Sequence, residues 1–165
     1  MYPDIQKKVT EIFQQFGITE VPVPVEDIVE KLGIRISYAP SDEYSGMLIR
    51  KEDGGTLMGI NSLEKPPRMR FTIAHELGHF LLEKSSVSID YRNKYHDSDK
   101  PIQEKKADFF AANLLMPEQF LRRDFKKAVR AKVSVFLEED LAALAESYNV
   151  SREAMKWRLT NLGLL

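Results

Sequence analysis

The chain contains no cysteine. That excludes a disulfide scaffold, a thiolate nucleophile and any cysteine-held zinc. Histidine is scarce as well, with three in 165 residues, so any clustering of histidines carries information. No window approaches the roughly 18 consecutive apolar residues of a membrane span. The opening "MYPDIQKKVTEIFQQFGI" has acids early and no apolar stretch leading to a cleavage site, unlike a signal peptide. Charge of one sign is also lacking. A formal net charge of -1 gives no global pull toward nucleic acid or acidic membrane. These absences fit a cytoplasmic protein. What is present is ordinary for a globular fold, with 43% hydrophobic and 30% charged residues. The length suits one domain with a small helical appendage.

Residues 4–16 carry Ile5, Val9, Ile12, Phe13 and Phe16 at helical spacing, and Gly17 stops the run. The prolines of "VPVP" keep Val21–Pro24 extended. A short helix over 25–32, capped by Gly33, precedes a strand at "IRISYA". "YSGMLIRKEDGGTLMGIN" predicts a β-hairpin around a glycine-containing turn. "SSVSIDYRNKYHDSDK" is polar and aperiodic, which predicts a loop. "PIQEKKADFFAANLLMP" predicts a helix that Pro117 ends, and the remainder is helical. The expected class is α+β, mostly helical, with a small sheet or hairpin.

"RFTIAHELGHFLLE" holds two of the three histidines, His75 and His79, with Glu76 directly after the first. On a helix, positions four apart lie about 40° apart around the axis and one turn up, so both imidazoles can face one ion. Glu76 is offset by about 100° and reaches a water beside that ion instead. Neutral imidazoles to hold zinc and a carboxylate to take a proton from water are the parts of a hydrolytic zinc site. The flanks Phe71, Ile73, Ala74, Leu77, Phe80, Leu81 and Leu82 make the helix apolar on most sides, so it runs through the interior. Two imidazoles and a carboxylate buried there without partners would be costly, and a metal satisfies all three. Gly78 costs about 1 kcal/mol relative to alanine in mid-helix, which predicts close approach of another backbone.

Catalytic zinc has three protein ligands and an open position. The HExxHxxGxxH extension is absent, because Leu82 and Ser85 stand where it needs glycine and histidine. Spacing leaves Glu83, Asp90, His96, Asp97, Asp99, Glu104 and Asp108 as candidates for the third ligand. Glu104, on the next helix, is better fixed than a loop residue, although a solvated glutamate in a first helical turn is the plain alternative. Asp108, one turn on, is placed to accept a hydrogen bond from the outer nitrogen of a ligand histidine. Tyr91, Tyr95 and His96 are candidate stabilisers of a developing oxyanion, each with an ordinary loop role beside it.

"RFTIAHELGHFLLE", "EKKADFFAANLLMP" and "LAESYNVSREAMKWRLTNLGLL" together resemble the ImmA/IrrE family of zinc metallopeptidases, from about Val21 onward. The resemblance implies a zincin-like core, His75, His79 and Glu104 on one zinc ion, Glu76 as base and Asp108 behind a ligand. It implies a cytoplasmic endopeptidase that cleaves or inactivates a helix-turn-helix repressor encoded nearby, in mobile-element or stress-response regulation. Some relatives carry a further C-terminal sensory domain, and none is expected here. Residues 1–120 are expected to form the metallopeptidase domain, with 121–165 a helix-turn-helix-like region packed on it.

In that region Leu141, Leu144, Ala145 and Tyr148 make one apolar stripe, and Met155, Leu159 and Leu162 a second, with Ser151 as N-cap. Arg152, Lys156 and Arg158 are expected to face outward, where they could meet DNA phosphates, as could the basic "RRDFKKAVRAK". A solvated basic helix explains the same residues and is the preferred reading, so DNA is the less favoured partner. The peptide substrate is expected to add as a strand to an exposed edge at Tyr44–Arg50 or Thr56–Asn61. Two alternatives remain: a non-catalytic regulator that keeps metal for stability and binds protein or DNA, and a hydrolase of small substrates.

Overall fold

The computed structural model describes residues 2–92, 97–131, 136 and 138–165. Helix α1 (Pro3–Phe16) opens with proline in its first turn, where a missing N–H leaves nothing unsatisfied. It buries Ile5, Val9, Ile12 and Phe13, and ends at Gly17 with φ of 63°, a left-handed cap that favours glycine. A cis peptide bond joins Val21 and Pro22. Helix α2 (Val25–Lys31) follows and buries Val25, Ile28 and Val29. Full burial of such side chains contributes about 1.5–3 kcal/mol each.

Strands β1 (Ile34–Ala39), β2 (Tyr44–Arg50), β3 (Thr56–Asn61) and β4 (Val87–Tyr91) form one sheet in the order β1-β3-β2-β4. β1 runs parallel to β3, and β2 is antiparallel to both of its neighbours. The predicted hairpin is therefore present. The register aligns Tyr38, Ile60, Gly46 and Asp90 in one cross-strand row. That row faces helix α3 (Pro66–Leu82), because a Cβ at Gly46 would lie 2.4 Å from Thr72 Cγ2 and 3.3 Å from Glu76 Cγ. Asp90 is thereby turned toward the same helix.

Two expectations are corrected here. The stretch after α3 is not all loop, since β4 occupies its first part and a 3₁₀ turn spans Asp97–Asp99. The strand escapes a hydrophobicity reading because its pattern is inverted. Val87 and Tyr91 are exposed, while Ser88 and Asp90 align with the buried-face residues Leu48 and Gly46. The exposed edge is also not where it was expected. β2 and β3 are both interior strands, and the sheet edges among the described residues are β1 and β4.

Helix α3 buries every residue from Thr72 to His79, as its near-continuous apolarity requires. It lies between the sheet and helix α4 (Ile102–Leu115). The predicted close approach occurs at Gly78, where a Cβ would meet Ala107 Cα at 3.1 Å and Ala107 O at 3.3 Å. A larger residue at either position would force the helices apart.

Helices α5 (Glu118–Ala131), α6 (Glu138–Tyr148) and α7 (Arg152–Asn161) complete the fold. Leu141, Leu144, Ala145, Tyr148, Met155 and Leu159 are buried as the stripes predict. The Ser151 hydroxyl caps α7 by accepting from Ala154 N–H at 3.1 Å. Arg152 and Lys156 are exposed. Arg158 is not, contrary to the outward placement expected of it. It is 4% exposed and donates to Met116 O at 3.1 Å and to Asn113 Oδ1 at 2.9 Å. The helix-ending Met116–Pro117 junction leaves buried carbonyls without helical donors, and the guanidinium supplies them. Arg70 makes a similar clamp, donating to Val23 O at 2.8 Å and to Asn149 O at 3.3 Å, with Glu26 Oε2 at 3.1 Å.

Arg158→Ala leaves the Met116 carbonyl and the Asn113 side-chain oxygen buried and unpaired. The expected loss is about 3 kcal/mol of unfolding free energy, read as a lower urea midpoint with an unchanged slope.

Candidate metal centre

The α3–α4 contact brings three side chains to one point. His75 Nε2 and His79 Nε2 lie 3.1 Å apart. Glu104, from the first turn of α4, places Oε2 3.2 Å from His75 Nε2 and Oε1 3.3 Å from His79 Nε2. Four-coordinate zinc with bonds of 2.0–2.1 Å holds neighbouring ligand atoms about 3.3 Å apart. The two histidine nitrogens stand close to that spacing, and each meets a different oxygen of Glu104, so the three side chains converge on one point.

The outer nitrogens fix the tautomers. His75 Nδ1 lies 2.9 Å from Asp108 Oδ1, as the Glu104–Asp108 spacing anticipated. His79 Nδ1 lies 2.8 Å from Glu83 Oε1. A carboxylate only accepts, so each Nδ1 carries a hydrogen, and with the imidazoles neutral, as metal binding requires, each Nε2 presents a lone pair to the shared point. Two lone pairs and a carboxylate facing one another need a positive charge between them. Lys100 lies behind Asp108 and pairs with its Oδ2. Sequence reasoning weighed Glu83 only as a direct ligand and did not single out Lys100. The i,i+4 spacing of His79 and Glu83 was the available signal for the first.

Electrostatics describe the same demand. At His75 burial opposes charge, but hydrogen bonds to Asp108 and Glu104 together with nearby Glu76 raise its pKa to about 10. His79 is likewise raised against its burial, chiefly by Glu104. Glu104 resists its own burial and is held well below the usual carboxylate range by the two imidazoles. In the metal-free cluster protons on the imidazoles meet this demand, and a bound metal ion would take their place.

Glu76 is fully buried, and neither of its carboxylate oxygens has a hydrogen-bond partner. Burial pushes its pKa up to about 7, with His75 and His79 working the other way. An orphaned buried carboxylate is costly, and a water-bearing cation beside it removes the cost. Asp90 forms a second grouping with His75 and Glu76, their ligand atoms also falling within 4.8 Å of one another. The nitrogen-rich set of His75, His79 and Glu104 fits zinc better than the all-oxygen sites of magnesium or calcium. Of the candidate oxyanion stabilisers, Tyr91 closes β4 and is 42% exposed. Tyr95 and His96 lie outside the described residues.

A mostly helical α+β fold with two histidines and a glutamate from neighbouring helices at one point defines the class of zincin-like metallopeptidases. The chain belongs to the family described as Peptidase M78, IrrE N-terminal-like domain, whose model matches residues 29–160. The resemblance drawn from the sequence motifs is borne out. No curated protein matches the chain. A solved Mycobacterium tuberculosis transcriptional regulator is similar in fold, with a TM-score of 0.64 at 14% identity over 95% of this chain. The chain spans 46% of that protein's length. Family membership supports a metallopeptidase-type function.

Titration of metal-free protein with zinc is expected to give one equivalent bound per chain by calorimetry, and chelation is expected to lower the melting temperature. His79→Ala should abolish stoichiometric binding. Asp108→Asn, which keeps the shape but loses the charge behind His75, should weaken zinc about 10–100-fold.

Proposed function

We propose that the protein is a zinc-dependent endopeptidase of the cytoplasm, with His75, His79 and Glu104 as ligands of one ion and Glu76 as the catalytic base. One observation carries the reading. Ligand atoms of His75, His79 and Glu104 converge within 4.8 Å of one another beside a buried carboxylate that has no hydrogen-bond partner. When bound, the ion would polarise a scissile carbonyl and acidify water. Glu76 would accept a proton at a carboxylate oxygen and hand it to the leaving amine. Asp108 and Glu83 keep the imidazoles oriented, and Lys100 keeps Asp108 charged. The substrate chain would lie along β4, whose outer edge is unpaired among the described strands and whose Asp90 faces the centre.

The substrate we propose is a helix-turn-helix repressor encoded beside this gene. The family and a structural neighbour that is itself a transcriptional regulator support this choice. In this reading residues 1–120 form the catalytic unit. Residues 121–165 brace it through Arg158, which donates to Met116 O and to Asn113 Oδ1.

Incubating the adjacent repressor with the zinc-loaded protein should yield discrete fragments, and chelator should stop the cleavage. Glu76→Gln should retain zinc and fold while cutting about 10²–10⁴-fold more slowly. A variant that cuts at the wild-type rate would remove Glu76 from the mechanism. Zinc-dependent folding with no fragment from any partner would instead favour a non-catalytic regulator.

A further inference from the structure

One charged cluster lies outside the steps above. Where β2 begins and β3 and β4 end, a cleft of about 520 Å³ opens between Ser45, Leu63, Glu64, Lys65, Arg68 and Arg92. Its floor is an acid. The Glu64 side chain is 8% exposed, its Oε1 accepts from the Ser45 hydroxyl at 2.7 Å, and its Oε2 is buried without a hydrogen bond. A carboxylate so covered needs compensating charge. Arg68 Nε stands 3.5 Å from Oε2, and Arg92 Nε stands 3.6 Å from Oε1.

Both guanidinium side chains remain open to solvent, at 53% and 42% exposure. Arginine carries five N–H donors in a planar fork, and the buried acid engages only one side of each. Arg68 turns Nη2 toward Asp90, the remaining donors of both arginines are not engaged by Glu64, and Lys65 adds a third positive charge to the cleft wall. Three cations against two covered acids, Glu64 and Asp90, leave the cleft with a positive excess. A substrate lysine would have to pass two guanidiniums to reach Glu64, whereas a carboxylate meets ready donors.

The cleft is also in line with the metal centre. Arg68 Nη2 lies 4.0 Å from Asp90 Oδ2, and Asp90 groups with His75 and Glu76. Arg68 precedes His75 by seven residues, about 10 Å along the helix axis. An extended peptide covers that distance in about three residues. A chain lying on the outer edge of β4 would pass Asp90 and then Arg92, the residue that follows the strand.

We propose that Lys65, Arg68 and Arg92 form a recognition subsite for an acidic side chain of the substrate, aspartate or glutamate, about three residues from the scissile bond. The position relative to the scissile bond rests on the peptidase reading. The preference for acid does not.

The test uses the full chain loaded with zinc and carrying Glu76→Gln, probed with a peptide array in which every position is varied among Glu, Gln and Lys. At one position the Glu peptides should bind about 10-fold tighter than the Gln peptides, with Lys weakest. Adding Arg68→Gln and Arg92→Gln should erase that preference without loss of zinc. Should the combined variant not fold, Arg92→Gln alone, at an exposed side chain, should reduce the preference by about 3-fold. Equal binding of Glu and Gln peptides, no binding, a preference for Lys, or acid preference that survives the arginine substitutions each overturns the proposal. Digestion of the same peptides by the unsubstituted protein separates the two readings. Acid-selective binding without cleavage removes the peptidase and leaves the subsite. Cleavage without acid preference removes the subsite alone.

Discussion

The site depends on how closely α3 and α4 approach. Glu104 and the two histidines belong to different helices, and only a short interaxial distance lets their donor atoms share one point. Gly78 against the Ala107 backbone permits that approach. The orientation of His75 follows from it, because the same contact sets Asp108 against its outer nitrogen, while Glu83 does the same for His79 from within four residues of chain. The helix pair and an ion bound there would be mutually supporting. Packing brings two imidazoles and a carboxylate to one point, and a cation there would satisfy them and tie the helices.

The sheet plays a different part. Its cross-strand row from Tyr38 to Asp90 presents a glycine to Glu76 and an acid to the metal centre. Gly46 lets the sheet sit close enough to cover Glu76, so the carboxylate is raised toward neutrality and kept from bulk water. β4 then sacrifices ordinary patterning. Its polar Ser88 and Asp90 align with the helix-facing residues of β2 while Val87 and Tyr91 are exposed, the reverse of a strand that closes a core. Such an inversion is unfavourable for packing alone and makes sense where the inner face borders a reactive cleft.

The C-terminal helices show how basic residues divide between solvent and structure. Arg152 and Lys156 are exposed, whereas Arg158 serves carbonyls stranded at the end of α4. Spacing cannot distinguish these fates, since all three lie on one short helix. What decides is where an unsatisfied acceptor lies in the neighbouring element.

The sequence by itself determined the α+β class, the hairpin, the helix stops at Gly17 and Pro117, the HExxH pair and the need for a partner backbone at Gly78. These are local: periodicity, cap chemistry and i,i+4 spacing act within a few residues of chain. The family resemblance settled on Glu104, which spacing alone had left among several acids. Tertiary structure alone decided that β4 exists, that it rather than β2 or β3 is an edge, that Asp90 turns inward, and that Lys100, Glu83 and Arg158 have their present partners. The strand order and the Arg158 contacts depend on which distant segment supplies a strand neighbour or a hydrogen-bond acceptor, while the Glu83 and Lys100 pairings are near in sequence and needed only the side-chain directions to be seen.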